Sequence, residues 1–106
     1  MNIAWTTVAT RADAERLAQG AIEARLAACV QIEGPMTSFY RWENKVERAE
    51  EFRLTLKFTP QQSAPLTAWI HEHHPYDTPE WLVVRASEVG EKYLSWAKAN
   101  STTPPL

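Results

Sequence analysis

Cysteine and glycine are scarce in this chain, and each scarcity removes a class of chemistry. Cys29 is the only cysteine, so no disulfide can close within the chain, and the paired-cysteine spacings of structural zinc and dithiol redox sites cannot occur. The three glycines, Gly20, Gly34 and Gly90, lie too far apart to build a loop that cradles phosphate. The G-x-S-x-G, H-E-x-x-H and P-loop patterns are missing as well. Basic residues are outnumbered and scattered, 11 Lys and Arg against 13 Asp and Glu for a net charge of −2. That balance argues against nucleic acid, whose phosphate backbone calls for clustered positive charge. No apolar run approaches the ~18 residues of a membrane span. The opening MNIAWTTVAT has neither the basic nor the long apolar region of an export signal, so a cytoplasmic protein without a membrane span is expected.

What the chain does have is the make-up of an ordinary folded domain. Its 44% hydrophobic and 23% charged content over 106 residues predicts one domain spanning 1–106. Five tryptophans and three tyrosines are generous for so small a core and point to aromatic surface buried against a partner. Phe39, Tyr40 and Trp42 could stack bases on an open sheet, but the RNA-binding aromatic motif is absent and the charge is wrong, which leaves an interface as the better reading.

The hydrophobic pattern changes period along the chain. Asn2 to Ala9 reads as a buried strand rich in Ile, Trp, Thr and Val. Thr10 and Asp13 form a capping-box-like start, and Ala14, Leu17, Ala18, Ala21, Ile22 and Leu26 recur at helical spacing. Gly20, in the middle of that helix, costs up to ~1 kcal/mol against alanine. Ala28, Val30 and Ile32 begin a second strand that breaks or bulges at Gly34-Pro35 and resumes through Ser38 to Trp42. Glu43-Asn44-Lys45 is a turn. Beyond it Phe52, Leu54, Leu56 and Phe58 alternate with Glu51, Arg53, Thr55 and Lys57, which predicts one core face and one wetter face.

Leu66, Trp69, Ile70 and His73 make the apolar stripe of a second helix. Thr59, Pro60 and Gln62 read as its cap, first helical residue and box partner, and Pro65, a poor fit beyond a first turn, offers the alternative of a later regular start with Ser63 as the cap. Trp81 to Ala86 reads as a fourth strand. Val89, Tyr93, Trp96 and Ala97 suggest a short final helix, and residues 100–106 a flexible tail with no core to join. The order strand, helix, strand, strand, helix, strand predicts an α+β, ferredoxin-like βαββαβ sandwich with an extra C-terminal helix. Right-handed crossovers place both main helices on one face of the sheet, and a second subunit is the simplest cover for the other.

The stretch HEHHPYDTPEW (71–81) gathers all three histidines within four positions. On a helical wheel His73 falls within the apolar stripe, His74 at its border and His71 away from it. Two readings stay open. Imidazoles suit Cu(II), Zn(II) or Ni(II) and could begin a site completed by a carboxylate or another chain. Alternatively, His73 packs under the sheet while His74 ends the helix ahead of Pro75. Cys29, among small apolar residues, reads as a small hydrophobe. Glu50 and Glu51 alternate across a strand and read as a solvated face. No nucleophile stands recognisably beside a base, so a non-enzymatic protein is expected.

Taken together, LAACVQI (26–32), SFYRWENKV (38–46), LTLKFT (54–59), HHPYDTPE (73–80) and YLSWAKAN (93–100) resemble the CutA divalent-cation tolerance family over nearly the whole chain. The resemblance implies a ferredoxin-like homotrimer arranged much as the PII-like signalling proteins. It implies copper, or another divalent cation, at His73 and His74. The partner cysteine on the first strand of some members corresponds here to Thr6, which disfavours Cu(I) and leaves an imidazole site suited to Cu(II) or Zn(II). It further implies that Tyr40, Trp42, Lys57, His74, Tyr76, Glu80 and Trp96 gather near an intersubunit cleft. Two functions follow as expectations. One is a trimeric metal-tolerance or metal-sensing protein. The other is a signalling or assembly module whose cleft takes a small molecule or partner protein.

Overall fold

The structure, a computed structural model, describes residues 1–101. Four strands form one antiparallel sheet in the order β2-β3-β1-β4: β1 Asn2–Val8, β2 Cys29–Trp42, β3 Lys45–Phe58 and β4 Leu82–Arg85. Three helices accompany them, α1 Arg11–Glu23, α2 Ser63–His73 and α3 Glu91–Ser101. This is the expected α+β, ferredoxin-like arrangement with an added helix.

Thr10 caps α1, its hydroxyl accepting from Asp13 N at 3.1 Å, which satisfies one of the amides that a helix start leaves without a partner. The helix buries Ala14, Leu17 and Ala21. They pack with Leu66 and Ile70 of α2 and with Ala4, Val8, Leu54, Leu56 and Phe58 of the sheet in one apolar cluster. Gly20 lies where the two helices meet, and a Cβ there would stand 2.7 Å from Trp69 Cζ2. Its missing side chain, a cost to the isolated helix, is what lets α2 approach.

The β2–β3 hairpin turns at Glu43 and Asn44, both with positive φ of 48° and 64°, between the closing pair Trp42 and Lys45. Two left-handed residues in a two-residue loop match the twist of the flanking strands, and Asn tolerates that conformation well. The expected irregularity at Gly34-Pro35 is a register shift between Glu33 and Met36. Gly34 has φ 146°, and a Cβ there would meet Phe52 and the Glu51 carbonyl, so this bulge admits only glycine without strain.

Several expectations need correction. Ser63 is the first residue of α2 and not its cap; the position before it is Gln62, at the end of a 3-10 turn over Pro60–Gln62. Pro65 is then the third helical residue, where its missing N–H removes no helix bond. β4 is shorter than expected, and Trp81 instead packs against the core and donates from Nε1 to Thr67 Oγ1 at 3.0 Å. The first two residues assigned to a flexible tail, Asn100 and Ser101, are helical. They close α3, and Ser101 is fully buried, with Oγ donating to Ala97 O. Gln62 Nε2 donates to both Ser101 O (2.7 Å) and Arg25 O (2.8 Å), tying α3 to the end of α1. The rest of the proposed tail, 102–106, lies outside the described residues.

Candidate functional site

The histidines end α2 but do not converge, and the wheel's assignment of the second and third is inverted. His73 is exposed, stacked on Trp69 with ring centroids 4.4 Å apart. His74 is the buried one. Its backbone N–H donates to Ile70 O at 2.8 Å while its own φ and ψ are extended, as expected of the residue before proline. That break swings its ring off the helical stripe and beneath β1, a rotation no wheel can represent.

Both ring nitrogens of His74 are engaged within the subunit. Tyr76 N–H donates to Nδ1 at 3.0 Å, so Nδ1 carries no proton. Nε2 then bears the hydrogen and donates to Thr6 Oγ1 at 2.9 Å. Burial holds the imidazole below its usual pKa, outweighing a hydrogen bond at the Thr7 backbone that pulls the other way. Thr6 itself is fully buried.

His71 and His73 differ from His74. Each places Nδ1 2.8 Å from a carbonyl one turn back, Thr67 O and Trp69 O respectively. A carbonyl only accepts, so the proton is on Nδ1 and the neutral ring keeps its lone pair on Nε2. Ligating histidines commonly have this arrangement. Being two residues apart, however, the pair cannot face each other. Among the described residues no group of three or more His, Cys, Asp or Glu side chains is placed to hold a metal. His74, with no free lone pair, and Thr6, with a hard hydroxyl, do not fit a soft-metal centre.

The hydrogen bonds continue beyond His74. Tyr76 donates its phenol to Glu51 Oε2 at 2.9 Å. Burial and this carboxylate raise the phenol pKa well above its ordinary value, keeping Tyr76 a donor. Thr6, His74, Tyr76 and Glu51 therefore form one chain running from the helix side of β1 to the opposite face of the sheet. Glu51 was expected on a wet face, yet only 8% of it is exposed, because the loop after α2 folds over it.

Glu51 lies in a cavity of about 850 Å³. Trp5 and Thr7 of β1 and Arg53 of β3 contribute the sheet side; Tyr40 and Trp42 of β2 form an aromatic wall; Tyr76, Asp77 and Glu80 belong to the loop that closes it. The bulge at Gly34-Pro35 resets the alternation of β2, so that Met36, Ser38, Tyr40 and Trp42 share a face with Glu51, the pairing partner of Met36. Arg53 Nη2 pairs with Glu33 Oε1 at 2.9 Å, while its Nε is buried without a hydrogen-bond partner.

Four of the anticipated cleft residues, Tyr40, Trp42, Tyr76 and Glu80, thus line one cavity. Lys57, His74 and Trp96 do not. Lys57 is on the same sheet face but paired with Ile3 and Cys29, and Trp96 stacks on Tyr93 with centroids 5.6 Å apart on α3. Sequence reasoning missed Trp5, Glu51 and Arg53. The strand alternation did place Glu51 and Arg53 together, but only the loop's path shows that this face is covered.

The profile of the family described as CutA1 divalent ion tolerance protein matches residues 2–100. A divalent-cation tolerance protein CutA from Yersinia pestis is 38% identical over 94 residues, covering 89% of this chain and 79% of its own. Among solved structures, CutA from Synechococcus elongatus superposes with a TM-score of 0.92 at 38% identity, over 95% of this chain and 89% of its own. A variant of CutA1 from Pyrococcus horikoshii reaches 0.94 at 31% identity, over 97% and 100%. Agreement in fold, in motif order and across nearly the whole length leads to one conclusion: the chain belongs to the CutA1 divalent ion tolerance family.

Proposed function

We propose that this protein is a cytoplasmic, non-enzymatic homotrimer that serves divalent-cation tolerance through a ligand cleft, built on the aromatic cavity and completed by a neighbouring subunit. The observation that carries this reading is the cavity itself, which exposed Tyr40 and Trp42 line together with a buried carboxylate held by Tyr76. Concave apolar sites with a few fixed polar groups are where small ligands bind. Support for assembly comes from the sheet edge. Leu82, Val83 and Val84 of β4 are all exposed, and an apolar edge strand with open backbone groups invites pairing. Sedimentation should give about three times the 12.1 kDa subunit mass; a mass near one subunit at micromolar concentration sinks the trimer.

A thermal-shift screen of small metabolites, with Cu(II) and Zn(II) alongside, tests the cleft. The expected result is stabilisation by a metabolite, as any ligand of the folded state must produce, lost in Trp42→Ala and kept in His73→Ala. Stabilisation by divalent ions alone, lost in His73→Ala, overturns it.

That overturning outcome is the second reading, and the imidazole geometry favours it. His73 is exposed with its Nδ1 held at Trp69 O, and symmetry could bring its counterparts together around copper or another divalent cation. His74 was the other anticipated ligand, and coordination there would break one of its two hydrogen bonds. Calorimetric titration of Cu(II) and Zn(II) into the wild type, His73→Ala and His74→Ala separates the two histidines.

A further inference from the structure

From the two poles of the cavity we infer the chemical class of its ligand: a small zwitterion of the amino-acid type, with its ammonium group at Glu51, its carboxylate at Arg53 and its side chain against the aromatic wall. This rests on the cleft reading and sharpens it.

One pole is negative. Glu51 is almost fully buried, and the Tyr76 phenol occupies only its Oε2. The other oxygen leaves acceptor capacity for an ammonium donor. Asp77 and Glu80 add carboxylates at the same cavity. The single guanidinium among the described lining residues has its charge balanced by Glu33 through Nη2, so the surplus charge is negative and selects a cation. Tyr40, in the same cavity, adds an aromatic face of the kind that attracts ammonium groups.

The other pole is an unmet donor. Arg53 Nε is buried with no acceptor, and a buried donor without a partner costs about 1–3 kcal/mol. Glu51 and Arg53 are alternate residues of β3 and point to the same face, about 7 Å apart along the strand. Two oppositely charged side chains at that separation can converge on the two ends of one small zwitterion. A ligand carboxylate would supply the acceptor that Arg53 lacks, and bidentate geometry suits a guanidinium to that task. A simple cation would leave Arg53 unsatisfied, and a simple anion would meet the buried carboxylate.

The test compares three probes of one carbon skeleton by calorimetry on the assembled protein. They are L-leucine, the amine that lacks its carboxylate (3-methylbutylamine) and the acid that lacks its ammonium (4-methylpentanoate). Leucine should bind at least tenfold more tightly than the amine, and the acid least of all. Glu51→Gln should weaken leucine and amine tenfold or more and strengthen the acid, whose carboxylate no longer meets a buried like charge; Arg53→Lys should weaken leucine while changing the amine less than twofold. The wild-type ranking stands even if a variant fails to fold. Acid binding equal to or tighter than the amine overturns the assignment, as does absence of binding by all three at millimolar concentration. The cleft reading is judged separately by the metabolite screen, where a hit of other chemistry lost in Trp42→Ala would preserve it.

Discussion

The indole of Trp69 occupies the space that a side chain at Gly20 would need, with 2.7 Å between the position of that Cβ and Cζ2. Helix propensity alone says that Gly20→Ala should stabilise α1 by up to ~1 kcal/mol. Overpacking at a helix crossing costs about 1–3 kcal/mol and should win. Chemical denaturation should therefore show Gly20→Ala less stable than wild type, and adding Trp69→Leu should recover much of the loss.

Thr6 and His74 make a second discriminating pair. Thr6→Val keeps the shape but leaves the His74 Nε2–H without its acceptor, at a cost of about 1–3 kcal/mol. Thr6→Ser keeps the acceptor and loses a buried methyl, at about 1 kcal/mol. Valine, the closer match in shape, should be the worse substitution in denaturant titrations.

The same imidazole predicts a pH dependence. Burial lowers the His74 pKa below its ordinary 6.5, so the unfolded chain binds the proton more readily than the native one. Stability from this group is complete above about 6.5 and falls as the pH drops toward the lower native pKa. His74→Gln removes the titration. The loss of stability between neutral pH and pH ~5.5, a span covering the ordinary histidine pKa, should be smaller in that variant than in wild type; an equal loss would place the acid sensitivity elsewhere.

Gln62 reaches two carbonyls at once. Gln62→Met, similar in length and without donors, removes the bonds to Arg25 O and Ser101 O, each worth about 1 kcal/mol. Amide hydrogen exchange should speed up across α3 with little change in β1 and β3, because the core cluster does not depend on this tie.

Much of the architecture was legible in the sequence because its local signals agree: Thr10 with Asp13, the alternation from Phe52 to Phe58, and the break at Gly34-Pro35 each mark their element. The site was legible only in part. Tyr40, Trp42, Tyr76 and Glu80 were named from motif positions, and the cavity unites them. His73 and His74 were ordered wrongly because Pro75 takes His74 out of the helix, which moves its ring to β1. Glu51 looked solvated because a period of two assigns faces but cannot show that a loop crosses one of them. The end of α3 was set too early because Ser101 is held by Gln62, 39 positions away, and no local pattern carries that contact.

The strand order has a consequence for how the chain acquires its shape. β1 lies between β3 and β4, with Asn2 registered against both Phe58 and Arg85. During synthesis at roughly 5–20 residues per second, β1 is made first yet waits several seconds for each of its neighbours. The β2–β3 hairpin, closed by its own two-residue turn, can form beforehand and offer β1 a template. Leu82–Arg85 completes the sheet last, and until it arrives the backbone of Asn2–Trp5 is an open edge, where a nascent chain of this kind is most exposed to pairing with the wrong strand.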